Sequence, residues 1–178
     1  MRAGLLVATL LFAVACGGDD DAEEPGTDLA ESITVSSSAF EADAPIPTHY
    51  TCDGHDVSPP LAWDGVPADA EAVALVVDDP DAPGGTYVHW IVLDIAPVTT
   101  SAEEGSVPAG GVQAANSNGD AAYAGPCPPS GTHHYRFTVY ALDQPTELSD
   151  GADTDEALAA IDEHAVARGR LTGTYSRD

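Results

Sequence analysis

The chain has 178 residues, enough for one domain with a hydrophobic core once an export signal is removed. Thirty acidic residues face only five basic ones, all arginine, and the formal net charge is −25. A protein of this charge repels the phosphate backbone of DNA and RNA, so we expect no nucleic-acid partner.

Residues 1–16 are typical of a bacterial lipoprotein signal. Arg2 precedes an apolar run, Leu5–Val14, that is too short to span a bilayer, and small residues lead from it to Cys16. We expect lipidation of Cys16, which would hold the exported protein at the cell envelope, facing the periplasm or the outer surface. This lipid would be its only contact with a membrane. The alternative is an ordinary signal peptide with an incidental cysteine.

Residues 17–31 are mostly glycine, proline, alanine and acidic residues, with almost no large apolar side chain. Such a segment cannot bury enough surface to offset the entropy of ordering, so it predicts a disordered acidic tether. The folded domain is then expected over residues 32–178.

Two cysteines remain in the folded domain, Cys52 and Cys127. An even pair in an oxidising compartment is compatible with a disulfide. Two buried free thiols are equally compatible, because the sequence does not give the distance between the two side chains.

Four segments have the pattern of β-strands, and most are rich in β-branched or aromatic residues: Ile33–Ser36, Val73–Val77, Tyr87–Ile95 and Arg136–Leu142. The second is almost entirely apolar, which predicts a strand buried on both faces. Strict alternation within Tyr87–Ile95 predicts one face that carries His89, Ile91, Leu93 and Ile95.

A single helix is predicted near the C-terminus. Asp153 and Glu156 form a capping signal at its start, and Gly169 is a natural stop. The apolar stripe comprises Leu158, Ile161 and Ala165. Leu171–Tyr175 would follow as a strand or an extended tail. The fold class is therefore mainly β with antiparallel pairing, and a long loop over Thr99–Gly125 is expected to contribute to function.

Three proline-rich motifs carry the candidate chemistry: Tyr50–Trp63, Asp79–Gly84 with His89 and Trp90 on the next strand, and Gly125–Tyr135. Proline stiffens each loop, which favours a preformed site. We expect the two tryptophans, Trp63 and Trp90, to lie in the core.

Together the motifs bring hydrogen-bond donors and acceptors toward one site. His89, His133 and Tyr135 offer N–H and O–H donors, and strand alternation places His133 and Tyr135 on one face. Asp79 and Asp81 offer carboxylates that can orient an imidazole or pair with a cation. Such a set suits a phosphate group with an ammonium nearby, or a phosphorylated side chain.

In this order, the three motifs resemble the phosphatidylethanolamine-binding family, also called Raf kinase inhibitor-like proteins, and most of all its bacterial YbhB/YbcL-like branch. The resemblance covers about Ile33 to Arg177. It implies two packed antiparallel sheets with Greek-key-like connections and a small anion pocket. The residues that match the family pocket are Asp79, Pro83, His89, Pro129, His133 and Tyr135.

The chain departs from the family pattern at two places. His134 replaces an arginine between His133 and Tyr135, and alternation directs it away from the pocket. Asn116–Gly119 lacks the aspartate and phenylalanine that bacterial relatives carry there, which leaves the packing of that loop unpredicted.

The function expected from these residues is non-catalytic binding of an anionic or zwitterionic ligand that carries phosphate, without a cofactor or metal. One alternative is a regulator that inhibits an extracytoplasmic hydrolase through its surface. Another is a metal-dependent hydrolytic enzyme, since two histidines and a carboxylate can bind zinc. The last is disfavoured, because neither the short metal-ligand spacing nor a nucleophile–base pair is evident.

Overall fold

The computed structural model describes Leu29 and residues 31–178. The predicted signal over residues 1–16, including Cys16, lies outside the described residues, as does most of the predicted tether. The two described residues of that tether both contact the domain. Leu29 packs against the hydrophobic core, and Glu31 forms a bridge and an ion pair with Arg168. The expectation that the tether runs free as far as residue 31 is therefore wrong at these two positions.

The described chain forms eight strands and one α-helix. They are β1 Thr34–Ser36, β2 Leu61–Asp64, β3 Ala72–Asp79, β4 Tyr87–Ile95, β5 Ser101–Ala102, β6 Val112–Ala114, β7 Gly131–Leu142, α1 Thr154–His164 and β8 Ala165–Arg177. The four strands predicted from the sequence correspond to β1, β3, β4 and β7. The loop predicted over Thr99–Gly125 contains β5 and β6, two short strands whose pairing the local sequence does not reveal.

The strands form two antiparallel sheets. The smaller has the order β1-β2-β5, and the larger has the order β6-β4-β3-β7-β8. β3 and β4 are adjacent in sequence and in space. β7 is distant from β3 in sequence and pairs with its other edge. The mainly β class with two antiparallel sheets, predicted above, is confirmed.

The larger sheet is buried on both faces. One face packs against the smaller sheet around Trp63, Trp90 and Phe137. The other packs against α1 through Ala157, Leu158 and Ile161. β3 supplies alternate residues to the two clusters and is buried along its whole length, as its apolar sequence predicts.

The face assignment predicted for β4 is wrong, because two irregularities interrupt its pairing with β3. Val77 pairs with Trp90 but Asp78 pairs with Val88, so His89 is an extra residue in β4. A second shift precedes Ile95 at the other end. As a result Ile91 and Leu93 pack on the helix side, whereas Ile95 packs between the sheets. A bulge of this kind turns a side chain to the other face of a sheet.

The predicted helix is real but ends earlier than expected. Asp153 is its N-cap and accepts a hydrogen bond from the Asp155 N–H at 3.0 Å. The helix stops at His164, and β8 begins at the next residue instead of beyond Gly169. Pairing with nearly the whole of β7 draws these residues into the sheet. Gly169 is needed within the strand, because a Cβ there would overlap with the Ile33 carbonyl.

Within the described part of the chain, no helix combines the length and the apolar character needed to cross a bilayer.

Candidate binding cavity

A cavity of about 420 Å³ opens where β3 ends and where β4 and β7 begin. Five of the six pocket residues predicted from the sequence line it: Asp79, Pro83, His89, Pro129 and His133. The volume lies within the range of small-ligand pockets. Three segments that are distant in sequence therefore meet at one place.

His133 and Asp79 form a buried pair on one wall of the cavity. The Nδ1 atom of His133 lies 2.7 Å from an Asp79 carboxylate oxygen, and both side chains are less than 10% exposed. The second carboxylate oxygen accepts a hydrogen bond from the Asp81 N–H at 2.8 Å. Asp79 thus fixes the imidazole and also folds the turn that follows β3.

His89 reaches the cavity because of the bulge in β4. Its Nδ1 donates to the Ala124 carbonyl oxygen at 2.7 Å, because a carbonyl can only accept. Burial is the largest influence on this ring and lowers the pKa of His89, although the Ala124 carbonyl and the nearby Asp79 carboxylate oppose it. The neutral ring therefore carries its proton on Nδ1, which leaves Nε2 unprotonated.

Tyr135 lies behind the cavity, contrary to the expectation that it lines the wall. It is fully buried, and its ring packs edge-on against His89 with 5.3 Å between centroids. Its hydroxyl has no hydrogen-bond partner among the described residues. Burial, and then the Asp79 carboxylate, raise the pKa of the phenol. Alternation does place Tyr135 on the same face as His133, but the bulged His89 covers it.

Another part of the cavity wall is formed by two loops held together by several bonds. Cys52 and Cys127 form a disulfide. The Gly125 N–H donates to the Asp56 carboxylate, and the Tyr123 hydroxyl donates to the Tyr50 carbonyl at 3.0 Å. Gly125 has no room for a side chain, since a Cβ would overlap with Asp56 and the Tyr50 carbonyl. These contacts preform the wall.

The loop that departs from the family pattern is well packed. The Asn116 side-chain oxygen accepts from the N–H groups of Asn118 and Asp120, and its amide donates to the Ala122 carbonyl. Ser117 bonds to Val88 beside the bulge. This arrangement places the Asn118 side chain at the rim of the cavity.

The residue at position 134, where the family pattern has an arginine, does not line the cavity. His134 points away from it, and Nδ1 lies 2.7 Å from the Asp81 carboxylate. Its side-chain and backbone hydrogen bonds lower the pKa of Asp81. On the same outer face Arg136 makes two hydrogen bonds to Asp78.

The sequence-based interpretation missed several residues of the cavity wall, among them Asp56, Tyr87, Asn118 and Ala124. The long loop Thr99–Gly125, which was expected to contribute to function, contains Asn118 and Ala124 but did not single out either residue. The cysteine pair was a further signal for Asp56 and Ala124, because a disulfide brings their two loops together. No motif indicated Tyr87.

The cavity wall has a definite chemical character. None of its side chains is lysine or arginine, and its acidic groups are Asp56 and Asp79. No group of three or more His, Cys, Asp or Glu side chains in the described chain is arranged to hold a metal ion. The wall thus offers two imidazole nitrogens, two carboxylates and small polar groups.

Comparison with known proteins agrees with this geometry. The family model described as phosphatidylethanolamine-binding protein matches residues 36–176. The chain belongs to this family. A UPF0098 protein of Methanothermobacter thermautotrophicus is 44% identical over 150 residues, which cover 82% of this chain and 99% of that protein.

Two solved members of the family share the fold. The crystal structure of E. coli YbcL, described as a member of the mammalian PEBP family, has a TM-score of 0.78 and 29% identity, over 83% of this chain and 99% of that one. CT736 of Chlamydia trachomatis, described as a homologue of the family, has a TM-score of 0.77 and 38% identity, over 84% of this chain and 100% of that one.

A further relative extends the match toward the N-terminus. LppC of Mycobacterium tuberculosis strain H37Rv, provisionally described as a lipoprotein, is 45% identical over 188 aligned residues. The alignment covers 97% of this chain and 93% of LppC. It therefore reaches into the segment that precedes the folded domain.

We predict that the disulfide contributes strongly to stability. The bond joins residues 75 positions apart, and closing a loop of this length lowers the entropy of the unfolded chain, which stabilises the folded state by about 4.5 kcal/mol. The double variant Cys52→Ser/Cys127→Ser should lose about that much free energy of unfolding in guanidinium chloride. Reduced wild-type protein should show a similar loss. A loss below about 1 kcal/mol in both samples would contradict the prediction.

Proposed function

We propose that this protein is a binding protein that takes a phosphate-bearing group into the cavity beside His89 and His133. The observation that carries the proposal is the pair of imidazoles, each held through Nδ1, whose Nε2 atoms have no partner in the described chain. Both residues line the cavity, so these nitrogens are available to a ligand. The family name supports the same class of ligand.

The charge of the protein favours a ligand that also carries a cation. A simple anion approaching a chain of net charge −25 is repelled. An ammonium group on the same ligand would offset that repulsion and could pair with Asp56, which lines the cavity and is exposed. A zwitterion of the phosphoethanolamine type satisfies both requirements.

Binding without catalysis is the activity that the cavity supports. None of its lining residues is serine, threonine or lysine, and its two cysteines are joined in the disulfide. The imidazoles therefore have no serine, threonine, lysine or free cysteine beside them to activate as a nucleophile. Their restrained orientation suits the recognition of a ligand.

We further propose that a lipid on Cys16 anchors the protein at the cell envelope. The signal-like sequence of residues 1–16 supports this, as does the match to LppC along nearly the whole chain. The cavity would then lie on a domain tethered close to a membrane.

Calorimetric titration with phosphoethanolamine tests the binding proposal. Wild-type protein should release or absorb heat at millimolar ligand or below, and its melting temperature should rise with ligand concentration. His133→Asn should weaken binding by about tenfold or more, because Asn can still donate to Asp79 but has no Nε2 atom. His164→Asn, on α1 and away from the cavity, is the matched control and should bind as wild type. Absence of heat together with an unchanged melting temperature would refute the proposal.

Fractionation of cells tests the anchor. Wild-type protein should sediment with membranes and carry the added mass of a lipid, whereas Cys16→Ser should appear in the soluble fraction. An intact chain that stays soluble with an unmodified Cys16 would contradict lipidation.

A further inference from the structure

The two imidazoles of the cavity offer different chemistry to a ligand. His89 uses its Nδ1 proton on the Ala124 carbonyl, so that Nε2 of the neutral ring presents a lone pair. His133 has the charged Asp79 carboxylate at Nδ1 instead of a neutral carbonyl. With Asp79 as the acceptor at Nδ1, a His133 ring that also carries a proton on Nε2 would donate it to a ligand, whereas His89 accepts.

We propose that His89 makes the cavity selective for a singly protonated phosphate monoester over a phosphodiester. The P–O–H group of the monoester would donate to Nε2 of His89, and an unprotonated phosphate oxygen would accept from Nε2 of His133. A diester has no P–O–H group, so its oxygen would face the lone pair of His89. This inference rests on the proposed function and names the ligand class of that same site.

The surroundings of His89 support its role as an acceptor. The groups around it are the Ala124 carbonyl, the carboxylates of Asp56, Asp78 and Asp79, and the aromatic rings of Tyr87 and Tyr135. The carboxylates favour a protonated ring, yet burial outweighs them and the pKa of His89 is lowered. Arg136 also neutralises Asp78 through two hydrogen bonds. The ring therefore stays neutral around pH 7.

A ligand that lacks the P–O–H group should bind with a much lower affinity. Nε2 of His89 lies in a ring that is 5% exposed, on a side chain locked by the Ala124 bond and by contact with Tyr135. The ring cannot turn to offer N–H without breaking the bond to Ala124. With a diester, Nε2 of His89 faces an oxygen lone pair and makes no hydrogen bond. The loss of this hydrogen bond should lower the affinity by about tenfold or more.

A matched pair of probes tests the inference: phosphoethanolamine, a monoester, and glycerophosphoethanolamine, a diester with the same ammonium group. At pH 6.5 about a quarter of the monoester is singly protonated. A preference of about tenfold or more for that form should therefore appear as an apparent affinity at least about 2.5-fold higher for the monoester than for the diester. The ratio of the two affinities should fall as the pH rises to 8, because the protonated monoester becomes scarce. Any effect of pH on the protein that is common to both probes cancels in the ratio.

The variant His89→Asn identifies the group responsible. Asn can donate to the Ala124 carbonyl as Nδ1 does, but it lacks Nε2, so the affinity ratio should fall to near one. A merely structural role of His89 would weaken both probes equally and keep the ratio. His164→Asn is the control and should keep the wild-type ratio. Near-ultraviolet circular dichroism and thermal melting establish that each variant is folded.

The outcomes separate the inference from the proposed function. If both probes bind wild-type protein within twofold of each other, or if His89→Asn leaves their ratio unchanged, selection by His89 is refuted while the binding function stands. If neither probe binds at any pH, the proposed function fails and the inference with it.

Discussion

The orientation of His89 depends on one irregularity in the pairing of β3 with β4. Trp90 packs between the two sheets, and strict alternation would then direct His89 to the helix side, away from His133 and Asp79. The extra residue in β4 lets both side chains face the same way. The buried imidazole meets Tyr135 behind it and the Ala124 carbonyl beside it. Without the bulge the cavity would lose one of its two imidazoles.

The remaining parts of the cavity are fixed by bonds between loops instead of strand pairing. The disulfide and the Gly125–Asp56 hydrogen bond hold the first and third motifs together. The Asp79 carboxylate holds the turn after β3 and the ring of His133 at the same time. A cavity built in this way would change little on binding the proposed ligand, so little ordering entropy would oppose binding. The same rigidity fixes which ring nitrogen each histidine presents, and in our proposal this decides which protonation state of the ligand fits.

Much of the fold could be predicted from the sequence because its strands have strong patterns. The apolar run in β3 and the alternation in β7 each correspond to observed burial. The long pairing of β8 with β7 could not be predicted, because the local sequence of β8 is typical of the end of a helix followed by an extended tail. In the sequence, Gly169 is typical of the end of a helix. In the fold, its lack of a side chain allows Ile33, which is distant in the chain, to pack closely against it.

The candidate site was predictable in its residue types and less so in its geometry. The motifs indicated Asp79, His89 and His133, all of which line the cavity. Alternation alone could not show that Tyr135 would be covered by His89, since a bulge leaves no mark in the apolar pattern of β4. The sequence also suggested that both imidazoles act as donors. Only the Ala124 carbonyl shows that His89 has already used its proton.

The proposed selection of a ligand depends on the protonation of the His89 ring. Long-range ¹H–¹⁵N NMR spectra of the histidine rings, assigned through His89→Asn, report it directly in the free protein at pH 7. We expect a neutral His89 ring that carries its proton on Nδ1 and has an unprotonated Nε2. An imidazolium ring, or a neutral ring protonated on Nε2, would contradict it.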